Sequence, residues 1–226
     1  MKRHLNLIMI LAGALVGTVT ALLLFRPDLF RPSPPVPPVR ELSKAGPGAQ
    51  PPHARGVDAA PVTLEEFADF QCPPCGALHQ ELKKIEAEYG ARLRVVFRHY
   101  PLAIHEHAQE AAHASEAAAA QNRFWEMHDL LFERQREWSK TEEARNLFKG
   151  YAGSLGLDVE RFTRDMDGPE AASRVLLDRR RGESVHITGT PTIFVNGREI
   201  TDEFMSAEGI RATINAALEG KTPVAP

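Results

Sequence analysis

Cysteine is scarce, with two among 226 residues. That excludes a small scaffold knit by disulfides and a four-cysteine zinc site. Net charge is only −3 at pH 7, without the basic surplus a nucleic-acid binder uses to neutralise phosphates. No internal repeat is present, which leaves out solenoid and propeller arrays. What the chain does have is ordinary globular composition, 43% hydrophobic and 25% charged, so wholesale disorder is excluded too.

The first segment stands apart. Lys2, Arg3 and His4 precede an uncharged run over residues 5–25, closed by Arg26. At about 1.5 Å per residue in a helix, such a run spans roughly the 30 Å of a bilayer core. Residues 1–26 are therefore expected to be a membrane anchor. A cleaved signal peptide is the rival, with a small-residue site after Ala21, but Leu22–Phe25 stay apolar beyond it. Either way the remainder is exported, and the basic amino end stays inside. Residues 27–56 hold nine of the 17 prolines and read as a linker with too little apolar surface to fold. Residues 1–56 carry 7 Lys+Arg against 2 Asp+Glu, and the rest carry 20 against 28. The exported domain, residues 57–220, is thus acidic and long enough to bury a core.

Along the domain, residues 62–67 alternate as a strand. A helix opens near Gln71–Cys75, runs through Leu78, Leu82, Ile85 and Tyr89, and stops at Gly90. Residues 93–98 form a second strand. A helical block is expected over about 106–164, broken near 138–140 and 150–158, and a further helix over 169–184 begins with a proline that a first turn tolerates. Residues 193–201 read as a hairpin about Asn196-Gly197, the pair a type I′ turn requires. A last helix covers 206–218. The fold class is α/β.

The chemistry sits at Cys72-Pro73-Pro74-Cys75. A thiol at a helix amino terminus faces unpaired N–H groups and the positive end of the helix dipole, which favour its thiolate. A stabilised thiolate attacks disulfides and also leaves them readily. Cys75, one turn on, can close the ring and resolve a mixed disulfide. A purely structural bridge between them would close too short a loop to staple anything. A zinc site would need two more ligands from His105, His107 or His113, and an i,i+2 pair on a helix splays its imidazoles. No metal or cofactor is expected.

Two further features join the pair. Glu66 shares a strand face with Val62 and Leu64; an acid among core residues is costly unless it works or is paired. Its candidate role is proton exchange with Cys75, the alternative being a solvated strand end. Thr190-Pro191 precedes an apolar strand. Pro191 is either an ordinary trans entry residue or a cis proline that exposes the Thr190 backbone to an extended peptide. Trp125, His128, Leu131 and Phe132 follow helical spacing and read as core more readily than as a peptide groove. His99, His105, His107 and His113 read as surface or capping residues, and Arg179, Arg180 and Arg181 as a solvated helix end.

The segments Phe67-Ala-Asp-Phe-Gln-Cys72-Pro-Pro-Cys75, Phe97-Arg-His-Tyr-Pro101-Leu, Phe124-Trp125-Glu-Met-His128 and Gly189-Thr-Pro191-Thr-Ile-Phe-Val-Asn196-Gly197 resemble, in that order, the DsbA-like branch of the thioredoxin superfamily. The resemblance implies a thioredoxin fold with a helical insertion. It also implies that Cys72 is the exposed attacking cysteine, Cys75 the buried resolving one, Pro191 cis and Glu66 the buried acid. The implied function is disulfide exchange with thiol- or disulfide-containing proteins in the bacterial cell envelope, on the periplasmic side of the inner membrane, with a membrane reoxidase or a reductant as partner and no nucleic acid. Strongly oxidising members carry a histidine between the cysteines. Pro73 and Pro74 supply neither that charge nor a backbone N–H, so a weaker oxidant is expected, with a Cys72 pKa below the free value of about 8.5 and well above roughly 3.5. Alternatives are a reductase or isomerase of the same fold, and a non-catalytic tethered peptide-binding module.

Overall fold

The computed structural model describes residues 40–201 and 205–221. The expected anchor over residues 1–26 and residues 27–39 of the proline-rich linker lie outside them. Among the described residues no helix is long and apolar enough to cross a membrane.

Five strands form one mixed sheet in the order β1-β3-β2-β4-β5. They are β1 (His53–Arg55), β2 (Val62–Ala68), β3 (Leu93–His99), β4 (Thr192–Val195) and β5 (Arg198–Glu199). β2 and β3 run parallel, with Glu66 opposite Phe97. β4 runs antiparallel to β2, placing Ile193 opposite Glu66. The β4–β5 turn has Asn196 at φ 47° and Gly197 at φ 78°, the left-handed pair a two-residue hairpin needs.

The parallel crossover from β2 to β3 is helix α1 (Pro73–Tyr89). Two prolines occupy its first turn, where no intrahelical N–H is lost, and Gly90 ends it at φ 52°. Leu78, Leu82 and Ile85 on α1 pack with Val62, Leu64 and Val95 of the sheet and with Ile210 and Ile214 of α8 (Ala207–Leu218). Each such side chain contributes about 1.5–3 kcal/mol by leaving water. On the opposite face, Phe67 and Phe194 pack with Tyr100, Val185 and Ile187, beside α7 (Pro169–Ser184).

Between β3 and β4, before α7, the chain builds α2 (Ala108–Ala119), α3 (Phe124–Glu133), α4 (Gln135–Trp138), α5 (Ala144–Ser154) and α6 (Val159–Met166). This insertion has its own core, in which Met127, Leu131, Trp138, Phe148 and Phe162 are fully buried. Phe124, His128, Leu131 and Phe132 are buried in it rather than lining a groove. The block is more broken than its Ala-rich sequence suggests. A turn at residues 120–123 ends α2, with Asn122 at φ 62°, a conformation asparagine accepts. Helix α5 continues through Gly150, and its break falls after Ser154.

Residues 40–56, assigned to the linker from composition, belong instead to the fold. β1 adds an antiparallel edge to β3, with His53 opposite Phe97. Arg98 donates to Glu65, Asp178 and the Ala49 carbonyl at 2.7–2.8 Å, and Asp178 also accepts from the Ala49 N–H at 2.8 Å. Arg181 donates to Glu65 and to the Gly46 carbonyl, so it is no solvated helix end. Hydrogen bonds to buried charges help hold this segment in place.

Candidate active site

The loop from β2 into α1 brings the redox pair to the seam between sheet and insertion; both cysteines sit in the insertion's core cluster. Cys72 caps α1 in extended conformation, its N–H donating to the Asp69 carbonyl at 3.1 Å and its carbonyl accepting from Gly76 N–H at 3.2 Å. Asp69, fully buried, shapes the approach. It accepts from the N–H groups of Gln71 and Leu102 at 2.7 and 2.9 Å and contacts His105 Nδ1 at 2.7 Å.

Both cysteines are free thiols. Cys75 is completely covered and Cys72 is 4% exposed. The resemblance implied an exposed attacking sulfur. Instead the Cys72 thiol is tucked against the other half of the fold, donating to the Thr190 carbonyl at 3.3 Å. The Thr190–Pro191 peptide is cis. A hollow of about 490 Å³ opens beside this contact, lined by Pro74, Ala77, Leu78, Thr190, Pro191 and Met205.

The two thiols are electrostatically unlike. The Cys72 pKa is lowered to about 6, first by hydrogen bonding from the Cys75 thiol, against the opposing effect of burial; the Thr190 side chain and the Cys75 backbone N–H add to the lowering. The Cys75 pKa is pushed well above its ordinary value by burial, then by Cys72 and Glu66. Glu66 is 4% exposed and its Oε1 has no hydrogen-bond partner. Burial, with the negative charge of Glu86 next, raises it to about 8, and Arg55 partly offsets this. Glu66 is therefore a neutral acid at pH 7, electrostatically linked to the sulfur it was expected to serve.

The structure thus gathers Cys72, Cys75, Glu66 and Thr190-Pro191 at one seam. It does not recruit His105, His107 or His113 to the sulfurs. His99 departs from the surface role expected of it: it is buried and 2.9 Å from Glu116 Oε1. Among the described residues, two groups have ligand atoms spaced to hold a cation, His53–His99–Glu116 and His79–His128–Asp129. In each, a guanidinium already neutralises the carboxylate, Arg174 on Glu116 and Arg55 on Asp129. Sequence reasoning missed Asp69 and Gln135. An aspartate two residues before Gln71, able to cap its N–H in an Asx turn, was the local signal that could have found Asp69; nothing local marks Gln135.

The family model described as Thioredoxin matches residues 49–216. Among solved structures, BdbD from Bacillus subtilis in its oxidised form is 28% identical with a TM-score of 0.69, covering 78% of this chain and 98% of that one. The oxidoreductase DsbA from Xylella fastidiosa shares the fold at 22% identity and a TM-score of 0.62, covering 83% and 98%. A protein of Salinispora tropica named Na(+)/H(+) antiporter NhaA 3 is 43% identical over 147 residues, 65% of this chain but 22% of that protein. The chain spans about a quarter or less of that relative, so the likeness concerns one part of a longer protein and carries no transport function here. With its fold, its CxxC turn and this match over most of its length, the chain belongs to the thioredoxin family, as a DsbA-like member of the superfamily.

Proposed function

We propose that this chain is an extracytoplasmic thiol–disulfide oxidoreductase that exchanges disulfides with protein substrates through Cys72 and Cys75. The observation that carries it is the placement of two free thiols one helical turn apart at the start of α1, one against the Thr190 carbonyl and one electrostatically coupled to the buried Glu66.

In the oxidised pair, a client thiolate attacks Cys72 Sγ. The Cys72–Cys75 bond breaks and its electron pair leaves on Cys75, which takes the proton of Glu66. A second client thiolate attacks the client sulfur of the mixed disulfide, and Cys72 leaves as the stabilised thiolate. The client loses two electrons and the pair gains them. In the opposite direction the Glu66 carboxylate takes the Cys75 proton as that thiol becomes the nucleophile. The hollow beside Pro191 offers an extended client a place to lie, with the Thr190 backbone for pairing.

The apolar run over residues 5–25 supports an inner-membrane anchor that places the domain on the periplasmic side. A membrane reoxidase would regenerate the disulfide, or a reductant would keep the dithiol. With Pro73 and Pro74 in place of a histidine, the pair is a weaker oxidant than histidine-bearing relatives, which keeps a reductase or isomerase role in view. Direction follows the potential, so equilibration of the chain with glutathione buffers separates the two. Cys72→Ser is expected to abolish exchange with a reduced client; undiminished exchange in that variant would overturn the proposal.

A further inference from the structure

The redox turn is gripped from outside by one side chain of the insertion. Gln135, the first residue of α4, donates through Nε2 to the Phe70 carbonyl at 2.7 Å and to the Cys72 carbonyl at 2.9 Å. The reverse amide orientation would set its oxygen against both carbonyls, so the hydrogen-bond network fixes this one. Facing it on α1 is Gly76. A Cβ placed there would lie 2.8 Å from Gln135 Oε1 and 3.1 Å from Cδ and Nε2, and these are its three nearest contacts. Glycine at this position leaves the room in which the amide sits.

The grip matters because the first turn of α1 is poor in donors. Pro73 and Pro74 have no N–H, and the Gly76 N–H is spent on the Cys72 carbonyl. Within Cys72–Gly76, that leaves the Cys75 N–H as the backbone donor for the Cys72 sulfur. Its aim depends on the Cys72 backbone, φ −69° and ψ 119°. The Cys75 thiol, the other donor from the same residue, is aimed by the same backbone, so a small rotation at Cys72 weakens both.

We infer that Gln135 is a positioning residue for the redox pair. By clamping the Phe70 and Cys72 carbonyls it keeps the Cys75 N–H on the Cys72 sulfur, and Gly76 is the space that admits it. The inference rests on the redox reading of the pair and adds that the insertion sets its reactivity.

The test is the pH dependence of Cys72 alkylation by iodoacetamide, located by mass spectrometry, in the reduced full chain and in Gln135→Met, Gly76→Ala, Gln135→Ala and the double Gly76→Ala/Gln135→Ala. The unsubstituted chain is expected to show a midpoint near 6. Gln135→Met keeps side-chain length but removes the donor. Gly76→Ala keeps the amide but displaces it, and its higher helix propensity protects folding. Each is expected to move the midpoint up, toward the free-thiol value of about 8.5, and to make the pair less oxidising against glutathione. In the Gln135→Ala background Gly76→Ala should add no further shift, because the two act through one contact. Unshifted midpoints in folded Gln135→Met and Gly76→Ala would overturn the inference. Should Gln135→Met not fold, Gly76→Ala decides it alone. A midpoint near the free-thiol value in the unsubstituted chain would instead sink the redox reading itself.

Discussion

Cys72 and Thr190 are 118 residues apart in sequence, and the thiol of the first donates to the backbone carbonyl of the second at 3.3 Å. One contact thus ties the start of α1 to the lead into β4. In the dithiol form the sulfur occupies the carbonyl that an extended client would use.

Removing the resolving sulfur should isolate the covalent intermediate. In Cys75→Ser, a disulfide-bearing client attacked by Cys72 is expected to remain attached, because no second thiol lies in reach to release it. Non-reducing electrophoresis and mass spectrometry would detect the adduct; a failure to accumulate it, with Cys72 still alkylated, would contradict the assigned order of attack.

Restoring a donor between the cysteines should raise oxidising power. Pro74→His returns a backbone N–H to the first turn of α1 and adds an imidazole beside Cys72. The Cys72 midpoint is expected to fall below about 6, and the equilibrium with glutathione to shift toward the reduced pair. For this two-electron couple a tenfold shift is about 30 mV. An unchanged potential would show that the prolines do not set the poise.

Glu66 gives a stability effect with a definite sign. Its folded pKa of about 8 lies above the ordinary value of 4.5. Between these, the folded state keeps a proton the unfolded state has lost, so stability falls as pH rises, by roughly 1.4 kcal/mol per unit. The total penalty is on the order of 5 kcal/mol above pH 8. Glu66→Gln removes the titration, and urea unfolding at pH 5 and pH 8 should show a shallower decline than in the unsubstituted chain. Parallel declines would mean Glu66 ionises normally. The same variant should slow Cys75 chemistry while leaving Cys72 alkylation largely intact.

The buried charges behind the sheet should be sensitive to loss of one partner. Asp178→Ala leaves Arg98, 4% exposed, to share the single carboxylate of Glu65 with Arg181, and frees the Ala49 N–H. A cost of about 3–5 kcal/mol is expected in urea unfolding. A cost under about 1 kcal/mol would place this network among weak surface pairs.

What could be read from the sequence was local. Cys72 and Cys75 were visible because a helix start and a short spacing define their chemistry together. The Asn196-Gly197 turn was visible because few residues accept its backbone angles. Glu66 stood out as an acid on an apolar strand face. Residues 40–56 were misread because proline content is a local property, whereas the partners that capture them, the donors Arg98 and Arg181 and the acceptor Asp178, come from far along the chain. His99 was misread for the same reason: its partner Glu116 sits on α2, and an imidazole has no sequence signature of being paired. Gln135 is a polar residue at a helix joint, ordinary until folding delivers it to the Phe70 and Cys72 carbonyls.

Both sulfurs lie inside the hydrophobic cluster of the helical insertion. Electron transfer and conformational melting therefore form two sides of one thermodynamic square. Whatever margin the folded protein grants the dithiol over the cystine must reappear as driving force delivered to clients. A scanning calorimeter comparing the two forms would then read, as a gap between their unfolding free energies, the offset between this pair's potential and that of the same two cysteines in the unfolded chain.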